Sequence, residues 1–304
     1  MNNKKLRIAV LSGGPSAEHE VSLKTGKMVA DNLDKNKYEI LPIIISKKGE
    51  WPMPIEDLKN NVHAAFIAMH GEYGEDGTLQ NELEKISVPF TGSRAGASRL
   101  GMDKVASLAI FSGAGLRVPG VAKGCPMVIK PADRGSSVGV SIIKNEALIP
   151  NAIQKALKYS PNIMMQQFIT GREFTCGVLE IDGATKALPP TEIIPKKSSF
   201  FDYSAKYESG ASDEITPPKL PDSKIAEMKR IAVVAHNAIG ARGFSRTDMI
   251  MDKKGHFYAL EINTIPGLTK TSLLPQQAKA AGIEFVKLLD IIIENSIQGI
   301  GFGV

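Results

Sequence analysis

The chain is poor in several things, and each shortage excludes something. It has two cysteines in 304 residues, Cys125 and Cys176. Neither sits in a C-x-x-C pair or a Cys/His cluster, so no disulfide framework and no zinc site are expected, and both read as small buried hydrophobes. No apolar run approaches the ~20 residues of a membrane span. The apolar part of the basic N-terminus is too short for a signal peptide and ends in a glycine turn, so a cytoplasmic location is expected. Aromatics are only 6%, and the net charge of +5 is spread without a basic run. Nucleic-acid binding is therefore not expected.

What remains is an ordinary globular composition, 43% hydrophobic and 23% charged. Its length allows two or three domains. Strand, glycine turn and helix open the chain at LRIAVL, SGGPS and the segment after Val21, which is the start of an α/β unit. Further strands are expected at 39–45 and 64–69 and a helix at 78–86, a small doubly wound domain over residues 1–96. Residues 97–184 read as a central α+β unit with a helix at 103–114, strands at 127–130, 138–143, 163–168 and 173–181, and a helix near 146–158. Residues 185–304 begin with a proline-marked polar stretch, then a helix at 222–239, a hairpin at 244–263 and a last helix at 282–296.

The hairpin is the sharpest chemical signal. FSRTDMIM and FYALEIN flank the turn Asp252-Lys253-Lys254-Gly255. The short loop implies a register with Asp248 opposite Ala259 and Arg246 opposite Glu261. Alternation then puts Arg246, Asp248, Glu261 and Asn263 on one face, with Asp248 diagonal to Glu261. Two carboxylates and an amide suit a hard cation whose remaining ligands are phosphate and water. Arg246 beside them can stabilise developing negative charge. The same face also reads as a solvated hairpin with an Arg–Glu pair.

Other elements are weaker alone. Lys130 ends a strand and precedes Gly135-Ser136-Ser137, a loop whose backbone N–H groups and hydroxyls can wrap phosphates; it also reads as a plain hairpin turn. It is neither a Walker A motif nor a dinucleotide fingerprint, which argues against an NAD-binding oxidoreductase. Glu18 opens a helix, as a dipole-stabilising acid or as a carboxylate for a substrate ammonium. His70 ends an apolar strand before a glycine-rich turn, where open α/β sheets bind ligands.

Read together, GGPSAEHEVSLKTG, HGEYGEDGTLQ, PFTGS, GMDK, VIKPADRGSSVGV, FDYSAKY, SRTDM and LEINTIPGLTKTSLLP resemble the motifs of D-alanine–D-alanine ligases, in family order and over nearly the whole chain. The resemblance implies an ATP-grasp fold: an N-terminal doubly wound α/β domain and two α+β subdomains enclosing ATP. It implies D-alanine and ATP as substrates, joined through a D-alanyl phosphate, and a homodimer. Lys104, Lys130, Gly135, Ser136, Ser137, Gln166, Gln167, Ile169, Glu173 and Lys206 would hold ATP. Asp248, Glu261 and Asn263 would hold Mg²⁺, two ions in all, with Mn²⁺ as a substitute. Glu18 would take the first D-alanine's ammonium, with His70 near it, and Ser136 and Tyr207 would link to Glu18. Arg246 and the Gly267 backbone would form an oxyanion hole. Ser272 and Leu273 would take the second D-alanine's carboxylate, and 198–210 would close as a lid. Three departures stand out. The connection from Arg117 to Pro126 is short, as if a strand and helix were missing. Gln166-Gln167 replace a Glu-Lys pair common beside adenine. Phe201 stands where Tyr is frequent. A ligase for another carboxylate and amine, or a catalytically weak ATP-binding module, are the competing readings.

Overall fold

The computed structural model describes residues 5–136, 138–196 and 212–298. Ser137, Lys206, Tyr207, Phe201 and the expected lid at 198–210 lie outside them. Among the described residues the strands form three sheets.

The first sheet is parallel, in the order β2 (Tyr38–Ile45), β1 (Leu6–Gly13), β3 (Ala64–Ile67). Its strands read as continuous apolar runs because helices cover both faces. Ile8, Val10 and Phe66 pack with Val29 and Leu33 of α1 (His19–Asn32) and with a helix from the far end of the chain. Ala9, Leu11 and Ile67 pack the other way, on Leu79 and Leu83 of the helix Thr78–Lys85. Between β1 and α1 the chain turns at Gly13, φ +87°. A Cβ there would lie 2.3 Å from the Ile45 carbonyl oxygen, so the turn admits only glycine.

The expected helix at 103–114 is α3 (Lys104–Gly113), and a further helix, α2 (Ala95–Met102), directly precedes it. Asp103 breaks them and caps the second, its carboxylate accepting from the N–H groups of Val105 and Ala106. The central sheet is antiparallel: β4 (Met127–Pro131) lies between β5 (Ser141–Ile143) and β6 (Ile163–Gln167). Met127, Ile129 and Ile143 pack on Ala152 and Ala156 of the helix Ile149–Leu157. Val128, Lys130, Ile142 and Gln166 face the opposite way, into a cleft. The expected strand at 138–143 is shortened to three residues. Across the short connection, Val121 makes one bridge to Gln166, so residues 120–122 occupy the sheet edge beyond β6.

The large sheet runs β10 (Ser212–Ile215), β9 (Thr191–Pro195), β7 (Gly171–Ile181), β11 (Phe244–Asp252), β12 (Phe257–Asn263), with β8 (Ala184–Ala187) also on β7. Here β7 differs from the expectation of a place in the central unit. It pairs along its length with β11, and the boundary expected after residue 184 falls inside this sheet. The proline-marked stretch also contains β9 and β10. One face of the sheet packs Phe174, Cys176 and Met249 on Met228, Ile231 and Ala235 of α4 (Asp222–Ala238) and on Phe111 of α3. The other face closes the cleft. After β12 come α5 (Leu273–Ala280) and α6 (Phe285–Ile297), whose Leu288, Leu289 and Ile292 return to cover the first sheet.

Candidate active site

The hairpin register is Asp248 opposite Glu261 and Arg246 opposite Asn263. It differs from the expected register by two one-residue steps. The turn takes an extra residue because the Asp252 carboxylate accepts from the N–H groups of both Lys254 and His256, stabilising a longer loop. A bulge then follows at Leu260, where Met249 pairs with Ala259 while Asp248 pairs with Glu261. Each single step would turn every side chain over; two restore the face. All four residues share the cleft side, and the acids stand directly opposite rather than diagonal.

Asp248 is held from two sides. Thr175 of β7 donates its hydroxyl to Oδ1 at 2.6 Å. Arg246 donates Nε to Oδ1 at 3.0 Å and Nη2 to Oδ2 at 3.1 Å. Asn263 Oδ1 accepts from the Ile265 N–H at 2.9 Å, which fixes the amide's orientation. Lys104 at the start of α3 is buried, 3.4 Å from Glu261 Oε2, and donates to the Arg134 carbonyl at 2.6 Å.

Two cavities meet at this ion pair. The larger, about 510 Å³, is lined by Glu18, His70, Gly135, Ser136, Arg246, Asn263, Gly267, Ser272 and Leu273. The smaller, about 230 Å³, is lined by Lys130, Gln166, Gln167, Ile169, Glu173 and Asp248. Lys104 and Glu261 line both. The residues expected for amino acids and those expected for nucleotide thus separate into neighbouring chambers. Gly135 and Ser136 are the exceptions. Expected around phosphate, both line the larger cavity instead, where Ser136 is also expected to link to Glu18.

The reason is local. Ser136, at the left-handed φ of +53°, donates its hydroxyl to Glu18 Oε1 at 2.5 Å. Arg134 makes an ion pair with Glu72 at 2.7 Å. The loop of the central sheet is therefore fastened to the N-terminal unit at two points. Near Glu18, His70 is buried, with Nε2 2.9 Å from Thr25 Oγ1 and Nδ1 3.5 Å from Glu75 Oε1. Burial opposes charge on His70, but the Glu75 carboxylate and Glu18 outweigh it, and its pKa lies above the usual value. Burial also raises Glu75, with His70 opposing. Both groups therefore hold a proton to higher pH in the fold than they would in water.

Ser272 precedes α5 and uses its hydroxyl in the loop, accepting from the Thr269 N–H at 3.0 Å and meeting Thr269 Oγ1 at 2.8 Å. A Cβ at Gly267 would lie 2.7 Å from that oxygen. The sequence reading missed Thr175, Glu75, the Arg134–Glu72 pair and Glu214, which lines the larger cavity. Glu75 had a signal, the acid-rich turn after His70. Glu214 had none in its polar stretch.

Comparison with known proteins agrees with the motif reading. Residues 120–294 match the family model for the D-ala D-ala ligase C-terminus, and residues 7–60 and 53–93 match that for the N-terminus. The D-alanine–D-alanine ligase of Citrifermentans bemidjiense is 41% identical over 302 residues, covering 96% of this chain and 96% of its own. The VanG D-Ala:D-Ser ligase from Enterococcus faecalis has a similar structure, with a TM-score of 0.87 at 30% identity, covering 96% of this chain and 100% of its own. The Bacillus anthracis D-alanine–D-alanine ligase complexed with ATP gives 0.81 at 34% identity, covering 97% and 98%. The three sheets, the paired chambers and these matches together make this chain a member of the D-alanine–D-alanine ligase family, with the ATP-grasp fold.

Proposed function

We propose that the chain joins two D-alanines at the expense of ATP, through a D-alanyl phosphate, for peptidoglycan precursor synthesis. The observation that carries this is the Lys104–Glu261 pair shared by two chambers, one lined with Glu18 and Ser272 and the other with Lys130 and Glu173. A triphosphate in the smaller chamber would direct its terminal phosphoryl group at a carboxylate in the larger. ATP is the nucleotide that the family uses. Lys104, Lys130, Gln166, Gln167, Ile169 and Glu173 are its proposed contacts, with Ser137 and Lys206 outside the described residues.

Among the described residues no group of three or more His, Cys, Asp or Glu could hold a metal. Two acids and an amide oxygen are what Asp248, Glu261 and Asn263 offer. That set fits Mg²⁺, which takes few protein carboxylates and leaves the rest to phosphate and water. When bound, the ion neutralises phosphate charge.

Glu18, backed by Ser136, holds the first D-alanine's ammonium, and that D-alanine's own carboxylate takes the γ-phosphoryl group in a step governed by positioning. The second D-alanine, its carboxylate on Ser272 and Leu273, attacks the acyl carbon. Arg246 and the Gly267 N–H stabilise the oxyanion; one such donor is worth ~3–4 kcal/mol. Tyr207 and the 198–210 lid are proposed to exclude water. A cytoplasmic homodimer is proposed with this activity.

The test is phosphate release with ATP and Mg²⁺, comparing D-alanine with L-alanine, D-lactate and D-serine. D-alanine alone should give release and dipeptide. Release with D-alanine that matches the L-alanine background would reject the reading. Mixed-product formation with D-serine would assign the second site instead to the D-Ala:D-Ser chemistry named for the Enterococcus neighbour.

A further inference from the structure

The ligase reading leaves one chemical need unassigned. At neutral pH the second amino acid arrives with an ammonium group, which has no lone pair. One proton must leave before the C–N bond can form. Lys104 and Arg246, proposed for phosphate and oxyanion, are cations and accept nothing.

Glu214 lines the larger cavity together with Arg246, Gly267 and Ser272. It stands on β10, the edge strand of the large sheet, opposite Ile193 of β9. Its Oε2 accepts from Gln276 Nε2 at 2.6 Å, and the same nitrogen reaches the Thr271 carbonyl at 3.2 Å. Gln276 lies in the first turn of α5, just past Ser272. One amide thus ties the Glu214 carboxylate to the loop proposed to hold the second substrate.

We propose that Glu214 is the proton acceptor for the second amino acid's ammonium, an assignment that rests on the ligase reading. The ammonium gives one proton to the Glu214 carboxylate. The freed lone pair forms the C–N bond, the C–O bond to phosphate breaks, and the phosphate leaves with its electron pair. The nitrogen's second proton goes with it as hydrogen phosphate, and Glu214 returns its proton to solvent.

The surroundings suit this. Burial raises the carboxyl, while the Gln276 hydrogen bond and Arg246 pull it back, and the balance is upward. That is the direction a base needs to work near neutrality. Of the charged side chains, Arg246 of β11 acts on it and Lys270 lines the same cavity, while Asp213 on its own strand is paired at 2.6 Å with Lys196, just past β9.

Hydroxylamine separates this role from all others, because it attacks acyl phosphates as a neutral amine. With ATP, Mg²⁺ and D-alanine, hydroxamate is measured beside dipeptide in the parent, Glu214→Gln and Glu214→Asp. Glu214→Gln should lower dipeptide formation at pH 7 by roughly a hundredfold. Its hydroxamate formation should stay within about twofold of the parent. The dipeptide deficit should close as pH rises towards the ammonium's own pKa, and Glu214→Asp should recover part of the rate. Equal loss of both products, or no loss of dipeptide, overturns the assignment. A parent that makes no hydroxamate overturns the ligase reading itself, and this inference with it.

Discussion

Arg246 grips Asp248 through two parallel N–H donors, at 3.0 and 3.1 Å, two residues apart along one strand. The guanidinium is therefore oriented before any substrate enters, its fork anchored on a carboxylate that Thr175 also holds. A donor fixed this way costs no reorganisation when negative charge develops nearby. Arg246→Ala should lower kcat by ~10²–10³, in the range found for single oxyanion donors. Arg246→Lys keeps the charge but loses the fork, and should recover only part of that loss. Steady-state rates at saturating D-alanine and ATP check both; a kcat within about threefold of the parent for the alanine variant would remove Arg246 from the chemistry.

Gly267 and Ser272 are coupled by space. The serine oxygen, already engaged by Thr269 from two directions, has nowhere to yield when a Cβ arrives 2.7 Å away. Gly267→Ala should break about one hydrogen bond, near 1 kcal/mol, and raise the second D-alanine's KM roughly five- to tenfold. The melting temperature should move little, because Gly267 itself places no side chain in the cores that its neighbours Ile265 and Leu268 join. An unchanged KM would place the second carboxylate elsewhere.

These relationships show what the sequence could and could not carry. Alternation in FSRTDMIM and FYALEIN put the four polar side chains on one face, and they share it. Their register was beyond reach. Nothing in the pattern marks the bulge at Leu260, and the turn depends on how one aspartate spends its carboxylate. β7 was legible as a strand but not as a partner of β11, since that pairing joins Gly177 to the distant Arg246. β9 and β10 hide among Pro189, Pro190, Pro195, Pro217 and Pro218. Glu18 and Ser136 could be joined only through family resemblance, because local periodicity carries no contact over 118 positions.

Cys176 and Cys125 should behave as different chemical species. Cys176 is fully buried under α4, its thiol near the Leu188 carbonyl at 3.4 Å, and burial pushes its pKa up to about 12. Thiolate is the reactive form, so the folded protein should expose almost none there. Cys125 is only half-buried. A disulfide reagent at pH 8 should titrate one thiol in the native protein and two in denaturant. Two fast thiols in the native state would contradict the packing of β7 on α4.

The buried His70–Glu75 pair gives the fold a pH dependence whose sign can be worked out. An unfolded histidine titrates near pH ~6.5, and His70 in the fold titrates higher. Its contribution to stability is therefore fully present below about pH 6.5 and is lost as pH rises through the folded value. Glu75, also raised, acts in the same sense, since the folded state holds its proton longer than the unfolded chain does. Replacing both with glutamine removes the two titrations and leaves neutral groups of similar reach. The parent's melting temperature should thus decline more steeply than the double variant's as pH increases from about 6 to 9. Parallel curves over that range would mean that the pair exchanges no net proton on unfolding, and that the Glu75 carboxylate does not hold His70 charged.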